Sequence, residues 1–117
     1  METIKSYTDL QQSRKLAEIL PIESADMYFE PSTGFCTEPS EVRVGDIKYA
    51  HPRSVPCWSL TALLSVLEHP RCFQGDKPIY WFCGCFSKDN LYHEVESDNP
   101  VDSCYKMILE LNKLNLL

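Results

Sequence analysis

Three observations predict an α+β domain, a small antiparallel sheet packed by three helices, for residues 1–117. Apolar residues recur at helical spacing in three stretches, near the start, middle and end of the chain. The run Ile79-Tyr-Trp-Phe-Cys-Gly-Cys-Phe86 is apolar on both faces and is followed by turn residues and an alternating segment, which makes a central hairpin over about 78–97. A length of 117 residues, 44% hydrophobic and 24% charged, suits a single domain that buries about two-thirds of its surface.

The first helix is expected over 8–20, capped by Thr8 or Ser6, with Leu10, Ser13, Ala17 and Leu20 in helical register and Leu16 and Ile19 widening the stripe. Pro21 ends it. Ala25–Glu30 reads as a strand entering the Pro31-Ser-Thr-Gly34 turn. Four prolines between 31 and 56 predict an extended loop, interrupted by a strand-like Val42-Arg-Val44. The second helix is expected over about 57–68, where Leu60, Leu63, Leu64 and Leu67 recur and Trp58, Ala62 and Val66 broaden the face; Pro70 closes it.

In the central strand Ile79, Trp81, Cys83 and Cys85 share one face, and Tyr80, Phe82, Gly84 and Phe86 the other. Ser87-Lys-Asp-Asn90 is turn chemistry. The returning arm alternates Leu91, His93 and Val95 with Tyr92, Glu94 and Glu96, one buried face and one wet. Asn99 caps the last helix and Pro100 takes its first position, with Asp102 placed to meet the helix dipole. Val101, Cys104, Ile108 and Leu111 make its core stripe; Asp102, Lys106, Glu110 and Lys113 its wet one.

The net charge is -6, and residues 1–60 and 61–117 each carry three more acids than bases. The chain has no Lys/Arg stripe interleaved with aromatics, which argues against nucleic-acid binding. The charged N-terminus has no apolar core of a signal peptide, and no run approaches a membrane span, so a cytoplasmic protein is expected. There the six cysteines, at 36, 57, 72, 83, 85 and 104, stay reduced. Without a C-x-x-C pair they read as small core residues, and neither a metal site nor a cofactor is expected.

Three constellations could carry chemistry. Cys57 is expected at the start of the second helix, where backbone amides would favour a thiolate, and His93 on a later strand could serve as its base. That is the outline of a small cysteine hydrolase, but no third, orienting residue accompanies the pair. Second, His51-Pro-Arg53 and His69-Pro-Arg71 bracket that helix. Arg53, Ser54, Trp58, Ser59 and Arg71 could together hold a small anionic ligand at the helix start. Third, Tyr92, Glu94 and Glu96 share the wet face of the hairpin, where they could meet a protein partner. Glu94, Glu96 and Asp98 lack the spacing of a calcium loop.

The segments Val55-Pro-Cys-Trp-Ser-Leu-Thr-Ala-Leu-Leu64 and Asp98-Asn-Pro-Val-Asp-Ser-Cys-Tyr-Lys-Met-Ile108 running on to Leu117, with Ser24-Ala-Asp-Met27, are similar to a pattern in short proteins. Those proteins belong to Bacteroides-type gut bacteria, their phages and mobile elements. Trp58, Ser59, Leu60, Pro100 and Asp102 fit the pattern, whereas Cys57 stands outside it. The resemblance implies a cytoplasmic accessory protein of phage or mobile-element type. Such a protein would act by binding a host protein or by sequestering a small nucleotide-like ligand, in a counter-defence role. The sequence therefore points to a non-catalytic binding module. The alternatives are the Cys57/His93 hydrolase and a structural or homodimeric interaction protein, the latter because a hairpin edge and a very apolar helix can pair by two-fold symmetry.

Overall fold

The computed structural model describes residues 5–30, 41–50, 52–75 and 80–117. It contains α1 (Leu10–Ala17), β1 (Met27–Glu30), β2 (Glu41–Val44), β3 (Val55–Cys57), α2 (Leu60–Val66), β4 (Glu68–Gln74), β5 (Trp81–Phe86), β6 (Tyr92–Ser97) and α3 (Pro100–Lys113). The architecture is α+β. Its strands form two antiparallel sheets rather than one, ordered β2-β1-β3 and β4-β5-β6. The chain divides into two compact units, Tyr7–Ala62 and Leu63–Leu117 with Met1–Ser6, and the boundary falls inside α2.

In the Tyr7–Ala62 unit, α1 starts two residues later and ends three residues earlier than the expected 8–20. Asp9, not Thr8 or Ser6, is the cap: its carboxylate accepts from the Gln12 N–H at 2.8 Å, and Gln12 Oε1 accepts from the Asp9 N–H at 3.1 Å. Thr8 is instead fully buried. Its Oγ1 accepts from the Trp58 N–H at 3.2 Å and lies 2.7 Å from Ser13 Oγ, tying α1 to the segment after β3. Around this network pack Leu16, Leu20, Phe29, Cys57 and Trp58. β1 pairs with β2 on one side (Phe29 opposite Val42) and with β3 on the other (Phe29 opposite Val55). The proline-rich stretch thus supplies both flanking strands of a sheet. The anticipated Pro31–Gly34 turn lies outside the described residues.

The second helix also begins later than its leucine pattern implies. Residues 55–57 are extended because β1 takes their backbone, and α2 starts at Leu60 behind Ser59, whose Oγ accepts from the Ala62 N–H at 3.1 Å. It ends at Val66, and the chain continues directly into β4, a strand the prolines concealed. Pro70 is accommodated because β4 is an edge strand, and the register slips between Glu68 and Arg71, where His69 adopts a left-handed φ of 47°.

In the Leu63–Leu117 unit β5 is central, as its apolar run predicts. Direct opposition gives the rows Phe73–Phe82–Glu96 and Arg71–Gly84–Glu94 on one face, and Cys72–Cys83–Val95 on the other. α3 covers the cysteine face with Val101, Cys104, Ile108 and Leu111, all buried as their spacing requires. Asn99 accepts from the Asp102 N–H at 2.8 Å with Pro100 at the first position. At the other end, Asn115 is left-handed (φ 59°) and the Leu116 N–H donates to the Leu111 carbonyl at 2.8 Å, closing the helix with a Schellman turn.

Gly84 is required by a close approach: a Cβ there would run into the Tyr92 phenol, which lies across the central strand. Gly84→Ala is therefore expected to cost roughly 1–3 kcal/mol in urea unfolding. The cost should shrink in a Tyr92→Ala background. An equal cost in both backgrounds would place the constraint in the backbone instead.

Candidate functional site

Because Cys83 and Cys85 are fully buried, with the Cys104 thiol of α3 acting on Cys83, the alternate positions Phe82, Gly84 and Phe86 of β5 face away from that helix. The outward face carries a row of aromatics. Phe73 stacks on Phe82 with ring centroids 5.2 Å apart, and Phe86 meets Tyr92 edge-on at 5.5 Å. Phe86 is 39% and Tyr92 42% exposed, so two large rings stand in solvent side by side. β5 is therefore not buried on both faces, as its composition suggests; one side is only partly covered.

Charge is polarised across this face. Arg71 on β4 lies 5.3 Å from the Phe73 ring centroid, in cation–π range. Glu94 and Glu96 project from β6 on the opposite edge. The Tyr92 hydroxyl donates to Glu94 Oε2 at 2.9 Å, and partial burial together with that carboxylate pushes its pKa up from 10.0. Lys106 of α3 donates to the Glu96 carbonyl at 3.0 Å, and a cleft of about 520 Å³ opens there, lined by Phe82, Glu94, Val95, Glu96 and Lys106. The three residues singled out as partner-binding, Tyr92, Glu94 and Glu96, thus share one face with Phe82, Phe86 and Arg71. The signal for Phe82 and Phe86 was present in the strand alternation; what it lacked was which face a helix covers.

The thiol reading requires correction. Cys57 ends β3 rather than opening a helix, so no helix amides favour its thiolate. It is fully buried, its Sγ donating to the Thr8 carbonyl at 3.4 Å and lying 3.6 Å from Thr8 Oγ1. Burial pushes its pKa up, the reverse of what a nucleophile needs. His93 lies in the other unit, where Nε2 is 2.9 Å from Ser87 Oγ and 3.7 Å from Asp89 Oδ1.

That Ser87/His93/Asp89 cluster has the residue types of a hydrolase triad and escaped the sequence reading. Its wiring differs from one. Ser87 Oγ contacts the Asp89 carboxylate directly, and both Ser87 and Asp89 approach the same imidazole nitrogen, Nε2, whereas a triad puts serine and carboxylate on opposite ring nitrogens. Asp89 also accepts from the Leu91 N–H at 3.2 Å, and Ser87 is 4% exposed. The cluster fastens the hairpin turn.

The ligand-binding set divides. Trp58 is fully buried, its indole N–H donating to Ser24 Oγ at 2.9 Å, and offers no surface for stacking. The start of α2 already holds an anion of the chain's own: Asp26 accepts from the Ser59 N–H at 3.0 Å and from Ser59 Oγ at 2.5 Å. Ser54 Oγ is shielded from solvent without a hydrogen bond, Arg53 is exposed, and Arg71 belongs to the other unit's sheet face. His51 lies outside the described residues. Among the described residues no group of three or more His, Cys, Asp or Glu side chains is placed to hold a metal ion, and no helix is long and apolar enough to cross a membrane. Comparison with protein-family models, curated proteins and solved structures finds no match.

Cys85 supplies a pH test. It is fully buried, and desolvation, with Cys83 and Glu68 adding to it, pushes its pKa from 9.0 up to about 11. A raised folded-state pKa contributes stability that is complete below 9.0 and is lost as pH climbs through about 11. The free energy of unfolding in urea should fall across that window by about 1.4 kcal/mol per pH unit for this one group. Cys85→Ala should reduce the slope by that amount, leaving the same-sign contributions of Cys57, Cys72, Cys104 and Tyr92, whose pKa values are also raised, and the opposing one of Cys83. An unchanged slope in the variant would mean that Cys85 ionises freely in the folded state.

Proposed function

We propose that this protein is a non-catalytic binding module that docks a host protein on the outward face of the β4-β5-β6 sheet. The observation that carries the reading is the exposed Phe86–Tyr92 pair set beside Glu94 and Glu96. Partly exposed aromatics next to oriented charges are the composition of interface hot spots, since a ring offers large apolar area at little entropic cost. The polarity of the face specifies its occupant: a segment with an apolar side chain for the rings and a Lys or Arg for β6. A net charge of -6 adds attraction at longer range toward a basic partner. Sequestration of a small ligand has weaker support, because Trp58 is buried and the start of α2 is occupied by Asp26. The resemblance to proteins of gut-bacterial phages and mobile elements supports a host protein as the partner and a counter-defence role.

The probe is an array of peptides in which Lys or Arg flanks an aromatic or aliphatic residue, applied to the wild type, Tyr92→Ala and Glu94→Lys. Tyr92→Ala should weaken the best binders about thirtyfold, as for a hot spot worth about 2 kcal/mol. Glu94→Lys should weaken basic peptides and reduce the salt dependence of their binding. Peptides retained equally by all three proteins would reject the face. A nucleotide bound in place of peptides, or two copies of the chain pairing through these residues, would reject the host-protein reading.

A further inference from the structure

Three thiols converge under α3, and backbone parity sets two of them face to face. Cys72 on β4 is directly opposite Cys83 on β5. The Gly75 N–H donates to the Tyr80 carbonyl at 3.0 Å, which makes those two a hydrogen-bonded pair in the same register. Such pairs alternate along an antiparallel ladder, so Gln74/Trp81 is not one, Phe73/Phe82 is, and Cys72/Cys83 is not. The other side of β5 gives the same answer. Ser87 donates to the Leu91 carbonyl at 3.1 Å, which by alternation turns the backbone groups of Cys83 toward Val95 on β6 and away from β4. In a non-hydrogen-bonded pair the Cα atoms stand about 4.5 Å apart and the side chains are at their closest. That separation lies within the roughly 4.4–6.8 Å that a disulfide spans.

We propose that Cys72 and Cys83 are an oxidative modification site, joined by hydroperoxides into a reversible cross-strand disulfide. Cys72 is the partly exposed member, whereas Cys83 and Cys104 are fully buried, so access directs the oxidant to Cys72 first, although burial pushes the Cys72 pKa up and slows its attack. The Cys72 sulfur attacks a peroxide oxygen; the O–O bond breaks, leaving a sulfenic acid on Cys72 and one water. The Cys83 sulfur then attacks Cys72 Sγ and the S–O bond breaks. The leaving hydroxide takes the Cys83 proton as a second water. Two thiols lose two electrons and two protons, and hydrogen peroxide is reduced to two waters. Cys104 assists without joining. Its thiol acts on both partners, lowering the Cys83 pKa and opposing the rise at Cys72, while its own is driven up by Cys83 and by burial. A dithiol reverses the bond by exchange.

The test treats the folded wild type with hydrogen peroxide, alkylates the remaining thiols under denaturing conditions and maps the peptides by mass spectrometry. The expected product has lost two hydrogens, carries Cys72 and Cys83 in one joined peptide pair, and reverts with dithiothreitol. Its urea midpoint should shift upward, because the bond restricts the unfolded chain. Cys72→Ser should abolish the joined pair; the wild-type map stands by itself should that variant misfold. A bond through Cys104 or Cys85, accumulation of sulfinic acid on Cys72 without a bond, or no loss of hydrogen would each overturn the assignment.

Discussion

Direct cross-strand opposition along β5 is the constraint on which the rest of its unit depends. Side chains alternate with a period of two, so one register sorts every residue of the sheet. Cys72, Cys83 and Val95 go beneath α3; Phe73, Phe82, Gly84, Glu94 and Glu96 go to the opposite face. A slip by one residue would send the phenylalanines under a helix that now packs on thiols and would strand the glutamates in the core. The small cysteines let α3 approach the sheet closely, and Gly84 lets Tyr92 cross the strand on the other side. The exposed aromatic face and the thiol cluster are therefore two consequences of one pairing.

The Tyr7–Ala62 unit is organised differently, around buried polar groups that have to be satisfied. Thr8 is the hub: its hydroxyl and carbonyl engage Ser13, Cys57 and the Trp58 N–H, so α1 cannot leave β3 without exposing several unmet donors and acceptors. Asp26 plays a similar part at the start of α2, where its carboxylate serves the Ser59 N–H and hydroxyl. Both features remove candidates for chemistry. A thiol held by Thr8 and pushed up by burial is a poor nucleophile, and at the start of α2 the Ser59 N–H and hydroxyl are already taken by the chain's own carboxylate.

The hairpin turn teaches the same lesson about polar clusters. Ser87 lies within hydrogen-bonding distance of both Asp89 and His93, and those two stand 3.7 Å apart, because a tight turn brings them together. Residue type and proximity would suggest a triad, yet serine and aspartate meet the same imidazole nitrogen, Nε2, where a triad uses both ring nitrogens. The aromatic and acidic face of that hairpin stays exposed, and the proposed function rests on it.

Much of this was legible from the chain alone, where a local rule decides. Helical spacing marked α1, α2 and α3; Asn99-Pro100 marked the start of α3; the Ser87–Asn90 turn and the alternation from Leu91 marked the β5-β6 hairpin. These depend on contacts a few residues apart. The leucine stripe could not reveal that residues 55–57 would be drawn into a strand, because that needs β1 alongside. The prolines hid β4, since whether Pro70 breaks a strand depends on its lying at an edge. Sequence determined that Tyr92, Glu94 and Glu96 share a face. Tertiary structure decided that Phe86 stands exposed beside them and that Cys72 lies opposite Cys83, because the side of β5 that α3 covers is set by packing across the chain and not by any pattern within the strand.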